Sequence, residues 1–103
     1  MSDWQQPWFV YLLECTSGRI YTGVTPAVDR RITKHVKGHG ALFTKINRPT
    51  RLLAAKPFAS QHEAMKIEKQ VKKAGAAEKR TLAAIWANQH PLDPDAQAML
   101  FNS

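Results

Sequence analysis

Arg31 and His35 lie four residues apart in a stretch where Val28, Ile32 and Val36 recur at helical spacing. At about 100° per residue His35 falls on the apolar stripe and Arg31 close beside it, so the two share one face. Arg30 and Lys34 point the other way, towards solvent. A cation and an imidazole at a core edge are unusual choices for packing alone. The alternative is a half-buried histidine with a snorkelling arginine. Further on, Ala64, Ile67, Val71 and Ala74 form a second stripe, with Glu68 at its margin and Lys66, Lys69 and Lys73 opposite. A partly buried carboxylate needs a partner. A basic side chain would serve, as would a divalent metal, since one carboxylate with waters and a substrate phosphate is an ordinary magnesium arrangement. Tyr11 and Tyr21 complete the candidates, and packing in a strand is the simplest reading of each.

These residues require elements that bring them together. Residues 8–15 are rich in aromatic and branched side chains and read as a strand. Ser17-Gly18 gives a tight turn, and 19–24 a second strand, making a hairpin. Thr25-Pro26 reads as a helix start, a capping hydroxyl followed by proline, and the helix runs to about Lys37 and stops at Gly38. Residues 38–50 show no period and read as a basic surface loop. Arg51 to Phe58 is a weaker third strand. Ser60 and Glu63 form a capping box for a helix to about Ala74. A last helix, from about Ala77 to Asn88, turns Leu82, Ile85 and Trp86 inward. The expected fold is a small mixed α/β (α+β) domain, a three-stranded antiparallel sheet flanked by helices in the order β-β-α-β-α-α. Residues 1–7 read as a flexible N-terminus, 8–88 as the domain and 89–103 as a tail. Met99-Leu100-Phe101 in that tail could dock on the domain or on a protein partner.

Composition narrows the function. At 103 residues the chain fits one domain, and 44% hydrophobic with 22% charged residues is an ordinary globular mixture. The longest apolar run, Trp8 to Leu13, is too short to span a bilayer, and the N-terminus does not read as a signal peptide. The lone Cys15 excludes an internal disulfide and a cysteine-based zinc cluster, and suits a reducing cytoplasm. All fifteen basic residues lie between Arg19 and Arg80, against four acids, so this segment carries +11 within a net charge of +7. Such asymmetry suggests a polyanionic partner, bound with release of counterions from phosphates.

Together these residues resemble the GIY-YIG nuclease superfamily. Phe9-Val10-Tyr11 is similar to its first motif, with Phe-Val in place of Gly-Ile. Tyr21-Thr22-Gly23 is similar to the second, with Thr for Ile. Arg31, ten residues past Tyr21, and His35, one helical turn later, match the family's helix positions. Ala64-Met65-Lys66-Ile67-Glu68 fits its Ala-x-x-x-Glu stretch. The segment from Gly38 to Arg51, with Lys72-Lys73, looks like the short stand-alone bacterial members of the YhbQ type. The resemblance covers about residues 8–80.

It implies a metal-dependent endonuclease that hydrolyses phosphodiester bonds, with DNA ahead of RNA and structure-selective or repair-linked cleavage as one form of the activity. Glu68 would hold Mg2+ or Mn2+ against the scissile phosphate. Tyr21 or Tyr11 would help remove a proton from water. Arg31 would bind the phosphate, and His35 would orient a tyrosine or shuttle a proton. Lys34, Lys45, Arg48, Arg51 and Lys72 are the expected nucleic-acid contacts. A non-catalytic nucleic-acid-binding module of the same fold is the alternative.

Overall fold

The computed structural model describes residues 6–101. Most of the expected N-terminal segment lies outside that range, and its last two residues, Gln6 and Pro7, are exposed. Strand β1, Trp8–Cys15, is the middle of the sheet, between β2, Ile20–Thr25, and β3, Pro49–Phe58, in the order β2-β1-β3. Both neighbours pair with it antiparallel. A strand covered on both faces has no polar side to show, so β1 reads as a nearly continuous apolar run. Its alternation nevertheless sorts the core. Val10 and Leu12 pack with Ile20, Ala54, Ala64, Val71, Ala83 and Trp86. Tyr11, Leu13 and Cys15 pack with Ile32, Leu52 and Ala55. Fully burying a Leu or Ile side chain stabilises by about 1.5–3 kcal/mol, and Leu12, Leu13 and Ile32 are each fully buried. A bulge between Leu12 and Leu13 gives β3 an extra residue there, so Leu53 and Ala54 both join the first cluster.

Among the described residues five α-helices surround the sheet: α1 Val28–Val36, α2 Leu42–Ile46, α3 Gln61–Lys72, α4 Ala76–Gln89 and α5 Pro94–Phe101. The sequence-predicted order β-β-α-β-α-α is present, with α2 and α5 added. α3 and α4 cover one face through the first cluster. α1, α2 and α5 contribute to the second through Ile32, Phe43 and Leu100. α3 starts as its capping box requires, with Ser60 Oγ accepting from Glu63 N at 3.2 Å. α1 ends on paired backbone bonds, Gly38 N to His35 O and His39 N to Lys34 O.

Three expectations are corrected. Thr25 does not cap α1. It ends β2 opposite Phe9, its Oγ1 accepts from Ala27 N at 3.1 Å, and Ala27 is the cap residue. Residues 38–50 are not all loop, because they contain α2 and the start of β3. Ile85 is 49% exposed, since Ala83 and Trp86 take the inward positions of α4. In the tail, Pro94–Phe101 form α5, where Gln97 Oε1 accepts from Leu52 N at 2.8 Å and Leu100 and Phe101 pack on the second cluster, the first of the two places expected for it. Met99 is 78% exposed, because only part of the cluster turns inward.

Candidate active site

Tyr11 stands at the centre of β1 with Gly23 directly opposite on β2. A Cβ on Gly23 would collide with the Tyr11 ring and hydroxyl, so the phenol lies flat across the glycine. Tyr21 lies two residues before Gly23 on the same face of β2, and its ring centroid is 6.1 Å from that of Tyr11. α1 delivers His35 to the same place. Its ring centroid lies 5.1 Å from Tyr21, and its Nε2 is 2.7 Å from the Tyr11 hydroxyl. Behind the imidazole, Nδ1 is 2.8 Å from Thr44 Oγ1 on α2, and Thr44 Oγ1 donates to Ala41 O at 2.9 Å. Tyr11, His35 and Thr44 are each 1% exposed.

The proton positions in this chain follow from counting donors. A threonine hydroxyl has one proton, and that of Thr44 goes to the Ala41 carbonyl. The remaining lone pair of Thr44 Oγ1 faces His35 Nδ1 and suits the tautomer that carries its proton there. Burial, and then the Arg31 charge, push the His35 pKa down to about 4, so the ring is neutral at pH 7 and Nε2 carries a lone pair. In that tautomer the Tyr11 hydroxyl donates to it. Burial also raises the Tyr11 pKa well above the usual phenol value, and the neighbouring Tyr21 adds to this. Arg31 opposes the rise and Glu68 reinforces it, so both charges act on this one phenol.

Glu68 is 14% exposed on α3 and pairs with Lys72 Nζ at 3.5 Å, one turn along the same helix. Arg31 is exposed on α1. The structure thus brings Tyr11, Tyr21, His35, Glu68 and the charge of Arg31 to one locality from two strands and two helices. Two participants were missed in the sequence, Thr44 and Gly40. A Cβ on Gly40 would strike the His35 ring, so the turn before α2 must pass flat against the imidazole.

The region of residues 7–81 matches the GIY-YIG catalytic domain. The chain belongs to the GIY-YIG family. It is 42% identical over 80 residues to a UPF0213 protein of Cupriavidus pinatubonensis, covering 78% of this chain and 89% of that one. A UPF0213 protein of Halalkalibacterium halodurans is 46% identical over 77 residues, 75% of this chain and 82% of that one. The solution NMR structure of a UPF0213 protein from Bacillus halodurans aligns with a TM-score of 0.50 at 40% identity, over 85% of this chain and 98% of that one.

Within this GIY-YIG domain the expected phosphate contacts divide. Lys45 and Arg48 line a cleft of about 350 Å³ with His35 and Thr44, and Lys34 is exposed on α1. Lys72 is held by Glu68. Arg51 is not part of the locality. It pairs with Glu14 at 3.4 Å, and Arg80 of α4 bonds the same carboxylate, so Arg51 belongs to the opposite face of the sheet. A larger cleft of about 870 Å³, lined by Phe9, Val28, Asp29 and Leu92 among others, contains none of the five candidate side chains. No described helix is long and apolar enough to cross a membrane. Among the described residues no group of three or more His, Cys, Asp or Glu side chains gathers as a metal site. The donor set at Glu68, one hard carboxylate, still fits an ion that takes its remaining ligands from water and a substrate phosphate.

Proposed function

We propose that this domain is a metal-dependent endonuclease that hydrolyses phosphodiester bonds in nucleic acid, with DNA as the favoured substrate. The observation that carries this reading is the buried chain Tyr11–His35–Thr44, set where the charges of Arg31 and Glu68 meet. Four elements converge to build it, and a domain that only binds phosphate has no need of a neutral histidine aimed at a phenol.

Glu68 would hold Mg2+ or Mn2+. Polarising the scissile phosphate is the chemistry that such an ion supplies when bound. Arg31, exposed at the rim, would bind a phosphate oxygen and offset the charge that builds on it in the transition state. Tyr11 cannot readily ionise alone, because burial disfavours its phenolate. In this proposal it stays neutral. It takes a proton from the attacking water while passing its own to His35 Nε2 along the 2.7 Å contact. With a pKa near 4, His35 is a transient acceptor; as it returns that proton to the phenol oxygen, Tyr11 releases the proton it took from water to the solvent. Tyr21, half-buried with its ring against both partners, would orient the water. Lys34, Lys45 and Arg48 would steer the nucleic-acid backbone by charge, with little base preference. The composition favours a cytoplasmic setting.

The Glu68–Lys72 ion pair supports a second reading. A carboxylate already neutralised by lysine suits a nucleic-acid-binding module without catalysis. Incubating the pure protein with branched, single-stranded and duplex DNA and with RNA, with and without Mn2+, separates the two. Metal-dependent internal cleavage is expected. Binding without cleavage of any substrate would favour the module.

A further inference from the structure

We propose that Thr44 is a positioning residue for the reaction, its hydroxyl fixing the His35 tautomer so that Nε2 faces Tyr11 as a proton acceptor. This rests on the nuclease reading for its catalytic consequence, although the tautomer itself can be tested without cleavage. The argument is one of directed hydrogen bonds. A neutral imidazole has two tautomers, and the partner of one nitrogen selects the state of the other. Thr44 Oγ1 is a two-way group, but the Ala41 carbonyl, 2.9 Å away, uses up its single proton. Only its lone pair remains for His35 Nδ1 at 2.8 Å, which requires Nδ1–H. With the opposite tautomer, Nε2–H would point at the Tyr11 oxygen, and the phenol could no longer hand over its proton there.

The surroundings hold this arrangement in place. Phe43, next to Thr44, sets its ring 5.7 Å from that of Tyr21, which ties α2 to the same cluster. Asn47 Nδ2 donates to Phe43 O at 3.1 Å and closes the helix. At Gly40 the backbone passes so close to the imidazole that any side chain would displace it. All three members of the chain are almost fully buried. A buried N–H without a partner is costly, and this makes the tautomer depend on Thr44.

The test compares wild type, Thr44→Val and Thr44→Ser. Valine keeps the shape and removes the acceptor, whereas serine restores it. The imidazole nitrogens of His35 are read by two-bond proton–nitrogen NMR of histidine-labelled protein. The sequence holds four histidines, and the signal lost in His35→Gln identifies the right one. Wild type and Thr44→Ser should show a protonated Nδ1 and a bare Nε2. Thr44→Val should shift towards a protonated Nε2. In cleavage assays kcat for Thr44→Val should fall by about 10²-fold with KM unchanged, at the lower end of what a positioned proton-transfer group contributes. Serine should restore it. A protonated Nε2 in wild type overturns the proposal even if the valine variant does not fold. An unchanged tautomer in Thr44→Val overturns it as well. The expected tautomers with no cleavage by wild type would leave the Thr44–His35 lock standing and remove the nuclease reading instead.

Discussion

Acidification from about pH 7 to about pH 4 should remove about 3 kcal/mol of stability through His35 alone. An imidazole in the unfolded chain titrates at its ordinary value of about 6.5. In the folded protein burial, aided by Arg31, holds that pKa down at about 4. The gap is about 2.5 pH units at about 1.36 kcal/mol each, which gives the figure. The sign follows from proton uptake. Between these two values the unfolded chain binds a proton that the native state refuses, so stability rises with pH. The contribution is complete above about pH 6.5, declines as pH falls towards 4, and levels off below. A domain of this size has about 5–15 kcal/mol in total, so the loss is large. Urea melts of wild type and His35→Gln at several pH values isolate it. Glu14, held below the usual carboxylate range first by its hydrogen bond to Arg80, also loses stabilisation in acid. It is present in both proteins and cancels in the difference. That difference should grow by about 3 kcal/mol, with one proton's slope, from pH 4 to 7. A difference that stays flat would mean that burial does not depress the His35 pKa.

Gly23→Ala should destabilise the fold by about 1–3 kcal/mol, an ordinary overpacking cost, because the new methyl overlaps the immobile Tyr11 ring. A melt checks this, and an unchanged midpoint would mean that the phenol is not pinned. Nucleic-acid affinity should fall steeply with salt. Lys45→Ala and Arg48→Ala should each lower the log–log slope by about 1, whereas Arg51→Ala, tied to Glu14 on the far face, should leave it unchanged. At high pH the raised Tyr11 pKa works against the fold. Its stabilisation is complete below about pH 10 and is lost above it, so Tyr11→Phe should blunt the alkaline unfolding seen by circular dichroism.

Much of the fold was legible because its signals are local. The apolar run of β1, the Ser17-Gly18 turn, Gly38 at the end of α1 and the Ser60–Glu63 box each act within a few residues. Helical phase also placed His35 inside and Glu68 at a margin. It did not show what they touch. α2 has five residues, too few for a period to accumulate, so its stretch reads as loop. Thr44 and Gly40 have ordinary residue types, and their meaning appears only when α1 and α2 fold onto one another. Charge in the sequence did not say which face of the sheet carries Arg51. Ile85 fits an apolar stripe, but the small Ala83 is what fits close against the sheet in its place. The tail gave no period, since α5 is amphipathic only weakly and the tail's inward contacts come from Leu92, ahead of the helix, and from Leu100 and Phe101 at its end.

If Glu68 holds a metal for phosphodiester hydrolysis, Glu68→Gln should remove cleavage without unfolding the domain. Glutamine keeps the size and hydrogen bonding and removes the charge. The Lys72 partner is 52% exposed and free to turn to water, so the loss of the pair should cost little stability. The measurement is the cleavage rate of wild type and Glu68→Gln in Mg2+ or Mn2+, on samples shown by melting to be folded. Wild type should cleave and Glu68→Gln should not, with binding retained or strengthened. Equal rates for the two proteins would contradict the metal-holding role of Glu68.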